Sequence, residues 1–351
     1  MSKRASGASN GNSRASKLPA VLADAGPDAF RDTFVAIAGA RALIAATQTG
    51  LVDALAQRPA TAEELAQRLG LELAGVQALL AALAAMGYLE AGADGRYRPA
   101  TAAAQLISDD PESLAHFVGA YSAHAWEMLG GLEQTLRRRR AAASHARPAG
   151  DPFWEAYVRG LFELTRGEHE QNACLVPVSA PRLLLDVAGG HGAFAMEMCR
   201  RFPQLRATVL DLPASVAVGR RIVAEEGFAE RVSFREGDAL AAPLGEGLDV
   251  LSMFNLLHHL DAEAVPMLLV RAHGGLRPGG CLVIGETERS EPGQPPSLTG
   301  ALSGLVYFAS SGTRNYSRAE IGAWLASAGF ASVEVHRNER SPWRLLYLAR
   351  A

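Results

Sequence analysis

The densest chemistry in the sequence is an acid followed by a glycine cluster. Asp186, Gly189, Gly190 and Gly192 stand together in Leu183-Leu184-Leu185-Asp186-Val187-Ala188-Gly189-Gly190-His191-Gly192. The apolar residues around Asp186 read as a buried parallel strand. The glycines read as a tight turn whose main chain a ligand can approach closely. Phe194, Met198 and Phe202 follow at helical spacing, so a helix packs back on the strand and offers free N–H groups at its start. Such a turn suits a nucleotide-type ligand. Asp211 lies about 20 residues further on, where a carboxylate accepts hydrogen bonds from ribose hydroxyls. With Pro213 close behind, a helix N-cap is its alternative role. Asp238, after Gly237, could accept from an adenine amino group.

Two ligands compete for this turn. Gly190-His191-Gly192-Ala193-Phe194-Ala195 matches the dinucleotide pattern G-x-G-x-x-G/A. The other candidate is S-adenosylmethionine (SAM) in a class I methyltransferase, which favours an acid at the end of the first strand, where Asp186 stands. A sulfonium ligand with an ammonium group suits a carboxylate, whereas a pyrophosphate is repelled by it. A glycine turn that merely packs a helix on a sheet is the structural alternative.

The 351 residues suffice for two domains. They are 48% hydrophobic and 20% charged, the balance of ordinary globular proteins. A net charge of −3 gives no global field for nucleic acid. Cys174, Cys199 and Cys281 are scattered and form no C-x-x-C or Cys/His cluster, so the expectation is a reducing, cytoplasmic compartment and no metal. No apolar run approaches the roughly 20 residues that span a bilayer, so no membrane partner is expected. Residues 1–27, rich in Ser, Ala, Gly and Asn, read as a disordered tail.

The elements that must position these groups follow in order. Residues 29–55 read as helix, broken at Gly50, with Phe30, Phe34, Ile37, Leu43, Ile44 and Leu51 on the apolar spacing. Thr61 and Glu64 form a capping box, Gly70 ends that helix, and a third helix spans 72–86. Residues 87–90 and 96–99 pair as a small hairpin. Helix, helix and a two-stranded wing make a winged helix over 28–105. The helix at 72–86 carries no Lys or Arg, which argues against DNA and for contact with a partner subunit. Residues 106–176 are helical and aromatic, a substrate-binding and linker region. Arg137 to Arg140 reads as an exposed helix end and 141–150 as a flexible loop. Over 177–351, strands are expected at 183–187, 207–211, 232–240, 248–254 and 281–286. A helix at 262–276 closes with Arg277-Pro278-Gly279-Gly280. A helix at 318–328 and an antiparallel pair, 331–336 and 345–349, end the chain, a methyltransferase feature rather than a dehydrogenase one.

Taken in order, these pieces resemble the caffeate/hydroxyindole-type SAM-dependent O-methyltransferases, in a bacterial natural-product version, over roughly residues 30–351. The matching motifs are the winged helix, the glycine turn, Asp211-Leu212-Pro213, Gly237-Asp238, Leu257-His258-His259, Leu276-Arg277-Pro278-Gly279-Gly280 and Ala328-Gly329-Phe330. The fold class implied is α/β, a class I methyltransferase Rossmann-like sheet with an N-terminal all-α winged-helix dimerisation domain. The resemblance implies a homodimer, SAM as cofactor and a small aromatic or polyketide-type acceptor methylated on oxygen in secondary metabolism. The SAM site it implies comprises Asp186, Gly189, Gly190, Gly192, Asp211, Leu212, Asp238 and Ala239. His258 is implied as general base, Glu286 as the carboxylate that orients it, and Asn315 stands where a second acid is common. Phe254 replaces a frequent lysine and Ala188 a frequent glycine. Acceptor residues are expected from 117–126, 153–162 and 302–311. Methylation of nitrogen or carbon, a SAM-retaining hydroxylase or decarboxylase, and a DNA-binding regulator are the alternatives.

Overall fold

The computed structural model describes residues 29–138, 141–142 and 144–351. The expected tail at 1–27 lies outside them. The chain divides into two compact units, 1–103 and 104–351. Among the described residues no single helix is long and apolar enough to cross a membrane.

The first unit contains helices α1 (Ala29–Gln48), α2 (Leu51–Gln57), α3 (Ala62–Leu69) and α4 (Leu73–Ala85), then the hairpin β1 (Leu89–Ala91) and β2 (Tyr97–Pro99). Gly50 breaks the first helical run in a left-handed conformation, φ 70°, that side chains avoid. The capping box holds: the Thr61 hydroxyl accepts from Glu64 N–H, and Glu64 accepts from Thr61 N–H. Glu64 also takes both arms of Arg96 at 2.8 Å, fastening α3 to the wing. Ile44, Leu51, Leu55, Leu65, Leu80 and Leu83 form the core. The same spacing that buries Ile44 leaves Phe30 and Phe34 85% and 64% exposed.

The second unit begins with a π-helical turn (Phe117–Tyr121), α5 (Ser122–Gly130), α6 (Leu132–Arg138) and α7 (Phe153–Leu175). The last two members of the arginine run lie outside the described residues. The segment expected as a flexible loop contains an ordered helical turn, Ser144–Ala146. A seven-stranded sheet follows: β3 (Leu183–Val187), β4 (Arg206–Asp211), β5 (Val232–Glu236), β6 (Leu248–Phe254), β7 (Leu276–Thr287), β8 (Ser332–Arg337) and β9 (Arg344–Arg350). Helices α8 (Ala193–Arg201), α9 (Pro213–Glu225), α10 (Ala264–Gly275), α11 (Leu298–Ser311) and α12 (Arg318–Ser327) complete it. The strand order is β5-β4-β3-β6-β7-β9-β8; β3 to β7 pair in parallel and β9 pairs antiparallel to β7 and β8. Apolar clusters cover both faces, one with α7, α8 and α9, the other with α10 and α12. The central strands are therefore buried on both sides and read as unbroken apolar runs.

Two expectations need correction. Arg277 to Gly280, expected to close the helix at 262–276, belongs to β7, and the helix ends at Gly275: Gly279 N–H donates to Ala351 O and Ala351 N–H to Gly280 O, which draws the segment into the strand. The third strand stops at Glu236, and Asp238 sits in the turn beyond it. The order of strands reverses at β3, so its carboxyl end opens the crevice where open α/β sheets bind ligands.

Candidate active site

Each acid of the site is placed by a strand end. Asp186 lies near the end of β3, buried, in register with Ser252 of β6. The Ser252 hydroxyl donates to Asp186 Oδ1 at 2.6 Å. Burial pushes the Asp186 carboxyl up to about 7. Gly189 must be glycine, because a Cβ there would overlap that carboxylate. Asp211, ending β4, accepts from Gly190 N–H and Leu212 N–H, both at 2.7 Å. Burial pushes its carboxyl up to about 6, opposed by those two N–H groups. The glycine loop is thus clamped to the neighbouring strand by one carboxylate. Gly192, φ 72°, starts α8. Ala188 holds φ 55°, a conformation that costs a non-glycine residue roughly 1–2 kcal/mol.

These residues line a cavity of about 500 Å³. Asp186, Gly189, Gly190, Asp211, Leu212, Asp238 and Ala239 all face it; Gly192 lies behind, against Val223 and Val209. Asp238 is exposed and accepts from Leu240 N–H at 2.8 Å. The apolar wall includes Trp154, Tyr157, Phe194 and Phe254. Of the expected acceptor segments, 153–162 and 302–311 contribute (Ser310 and Ser311 from the latter), while 117–126 contributes none of the lining residues. Phe117 and Tyr121 stack on each other and pack over Gly160 of α7 instead.

His258 and Glu286 come together, both buried. The helical turn Leu257–His259 follows β6, and Glu286 lies near the end of adjacent β7. Glu286 Oε2 lies 2.6 Å from His258 Nδ1, and Oε1 accepts from Leu257 N–H at 2.7 Å. A carboxylate bonded to Nδ1 selects the tautomer whose proton is on Nδ1, which leaves the lone pair on Nε2. The Tyr307 ring lies flat on His258, centroids 3.6 Å apart, and His258 is not among the lining residues. Asn315 does not join the pair. Its amide donates to Gly300 O and Glu288 O, anchoring α11 to the end of β7.

Several lining residues carry no signal in sequence. His169 is buried on α7 and burial holds it well below the ordinary imidazole value, so it is neutral. His191 is held down to about 4 by burial. Its Nδ1 accepts from Ala193 N–H, and its Nε2 lies 3.3 Å from the Thr165 hydroxyl. Gly219 of α9 is a further spacing residue, since a Cβ there would overlap Gly190 O and the Phe234 ring.

The site fits a SAM-type ligand. Among the described residues, His169 Nδ1 and Asn255 Oδ1 are buried without a hydrogen-bond partner, and both residues line the cavity beside Asp186. Asn255 holds a left-handed φ of 54° there. A ligand bearing an ammonium donor, a carboxylate and ribose hydroxyls can satisfy these atoms and the acids around them.

A family model described as an O-methyltransferase domain matches residues 145–331, and one described as an O-methyltransferase dimerisation domain matches residues 33–109. The 3-hydroxy-5-methyl-1-naphthoate 3-O-methyltransferase of Streptomyces sahachiroi is 32% identical over 330 residues, covering 89% of this chain and 91% of that protein. The tetracenomycin polyketide synthesis 8-O-methyl transferase TcmO of Streptomyces glaucescens is 28% identical over 319 residues, covering 88% and 92%. The solved structure of PigF with SAH matches at a TM-score of 0.80 and 24% identity, over 93% of this chain and 100% of that one.

The Asp186 carboxyl near 7 gives a pH dependence whose sign can be worked out. A cation seated beside Asp186 favours the carboxylate, lowers its pKa and expels its proton. SAM binding at pH 7 is therefore expected to release roughly half a proton from this group, and affinity to rise between pH 6 and pH 8. Calorimetric titration in buffers of different ionisation enthalpy measures this. Asp186→Asn should remove the release, and an equal release in that variant would separate Asp186 from the ligand.

Proposed function

We propose an acceptor and a mechanism from one premise: the chain belongs to the O-methyltransferase family that joins an N-terminal dimerisation domain to a SAM-dependent catalytic domain. Its acceptor is a hydroxylated aromatic, polyketide-type molecule of secondary metabolism. The names of the two Streptomyces relatives support that class, and so does a cavity wall built from Trp154, Tyr157, Phe194 and Phe254.

Asp211 is positioned for the ribose hydroxyls, Asp238 with Ala239 for the adenine, and Asp186 with the glycine loop for the amino-acid end of the cofactor. When bound, SAM supplies an electrophilic methyl group on a sulfonium. The chain's own residues must bring an aromatic hydroxyl to it and remove the proton. A phenol with pKa near 10 is mostly protonated at neutral pH and is then a weak nucleophile. His258 Nε2 takes that proton as oxygen attacks. Glu286 holds the ring in the required tautomer and stabilises the imidazolium that forms. The Tyr307 face adds a cation–π contact to the same imidazolium. His258 has to become reachable from the cavity, and the ring that covers it sits on α11, the helix that also supplies Ser310 and Ser311 to the wall.

The observation that carries this reading is the buried His258–Glu286 pair with both carboxylate oxygens taken. His258→Ala should lower kcat for a hydroxynaphthalene acceptor by about 10²–10⁴, the range of general-base contributions, with SAM affinity within about threefold. Glu286→Gln should lower kcat less and also spare SAM binding. Turnover unchanged in His258→Ala would remove this residue from the chemistry.

The functional unit is a homodimer formed through the N-terminal unit. The dimerisation match and the exposed Phe30, Phe34, Val35 and Ile37 on α1 support this. Sedimentation velocity should find a dimer for the full chain and a monomer for Phe34→Asp. A wild-type monomer at micromolar concentration would contradict it.

A further inference from the structure

Methyl transfer as proposed above gives no role to His145 or His259, two of the imidazoles on the cavity wall. His145, in the turn Ser144–Ala146, holds Nε2 3.0 Å from the Tyr157 hydroxyl. His259 holds Nδ1 2.6 Å from the Ser311 hydroxyl. The two rings meet edge to face with centroids 4.5 Å apart. All four side chains line the cavity. His259 also adjoins the base, its ring centroid 4.3 Å from that of His258.

Counting protons defines what this cluster can bind. Burial holds His145 down to about 4 and His259 well below the ordinary imidazole value, and it pushes the Tyr157 phenol well up. All three are neutral near pH 7. A neutral imidazole and a phenol share two protons and use one between them. One donor is therefore left over, on Tyr157 or on His145 Nδ1, whichever tautomer is present. On the other side the hydroxyls form a chain. Ser310 donates to Tyr307 O, and the Ser310 and Ser311 oxygens are 3.3 Å apart. In that direction Ser311 donates to Ser310 and accepts from His259 Nδ1–H, which leaves a lone pair on His259 Nε2. A donor beside an acceptor is the complement of a hydroxyl group.

The charge of the wall decides against an anion. Asp186, Asp211 and Asp238 line the cavity, and no Lys or Arg is among the described lining residues. The guanidinium whose field reaches His169, His191 and Tyr307 belongs to Arg344, which is paired with Glu168 at 3.1 Å. With S-adenosylhomocysteine, which carries no sulfonium, in the cofactor site, a carboxylate placed here would meet no cation of the described cavity wall.

We propose that His259 with Ser311, and His145 with Tyr157, form a second hydrogen-bonding subsite that reads an uncharged oxygen adjacent to the hydroxyl being methylated. The acceptor class is then an aromatic bearing neighbouring oxygens, a catechol or its polycyclic counterpart, rather than a hydroxyaryl carboxylate. His259 is a specificity residue in this scheme, and the proton transfer stays with His258. The inference rests on the aromatic-acceptor reading and narrows it.

The test is equilibrium binding of three probes to the full-length protein saturated with S-adenosylhomocysteine. The probes are 2,3-dihydroxynaphthalene, 2-naphthol and 3-hydroxy-2-naphthoate, and methylation of each is measured alongside. The diol should bind roughly tenfold more tightly than the monophenol, the worth of one net hydrogen bond of upper ordinary strength. The naphthoate should bind most weakly. His259→Phe should cut the diol's advantage to below about threefold, and His259→Asn, which keeps a donor and an acceptor, should restore part of it. S-adenosylhomocysteine affinity checks that each variant is folded; if His259→Phe fails that check, the double variant His145→Phe/Tyr157→Phe, which removes both possible donors, replaces it with the same expected loss. Equal binding and methylation of diol and monophenol, a naphthoate as tight as the diol, or a full advantage in the folded variant overturns the subsite while aromatic methylation stands. Absence of binding by all three probes to the saturated protein overturns the aromatic-acceptor reading itself.

Discussion

Glu286 has no freedom. It is buried, one oxygen accepts from Leu257 N–H and the other bonds His258 Nδ1. A buried carboxylate that loses a partner is costly, so the turn after β6 is locked to the end of β7. That lock fixes the height, tautomer and direction of the His258 ring. The sheet makes it possible: β6 and β7 are parallel neighbours, and their register sets Phe254 against Gly285. Gly285 leaves room for the Phe254 ring, which then packs on Phe194 and His169 at the cavity wall. One strand pair therefore positions both His258 and part of the apolar wall.

A second lock holds the cofactor side. Asp211 binds the glycine loop through Gly190 N–H, and Gly219 lets α9 come down on the same loop. Both contacts hold the loop against its neighbours. Burial raises the pKa values of both acids, Asp186 to about 7 and Asp211 to about 6. A cationic, hydroxyl-rich ligand relieves that tension. The electrostatics of these acids match the proposed cofactor.

What was legible in the sequence follows from what is local. The apolar run before Asp186, the glycine turn, the Thr61 cap and the terminal antiparallel pair all rest on short-range periodicity or backbone sterics, and the structure has them. Asp211 and Asp238 could be placed because strand ends in a parallel sheet converge. The pairing of His258 with Glu286 was visible only through family resemblance, since the two are distant in sequence. Asn315 was placed by motif position, and its amide bonds Gly300 O of α11 and Glu288 O. The His145–Tyr157–His259 cluster joins a turn, the middle of α7 and the loop after β6, and no periodicity predicts that meeting. For the same reason the aromatics at 117–126 could not be sorted into packing or cavity before α7 was in place.

The central claim is that Glu286 presents His258 to the acceptor as a base with its lone pair on Nε2. Nitrogen-15 NMR of histidine-labelled protein saturated with S-adenosylhomocysteine reads this tautomer directly, with the His258 signals assigned by their loss in His258→Gln. A protonated Nδ1 and an unprotonated Nε2 are expected for His258. A protonated Nε2 with a bare Nδ1 would contradict it, because such a ring has no lone pair to offer the acceptor hydroxyl.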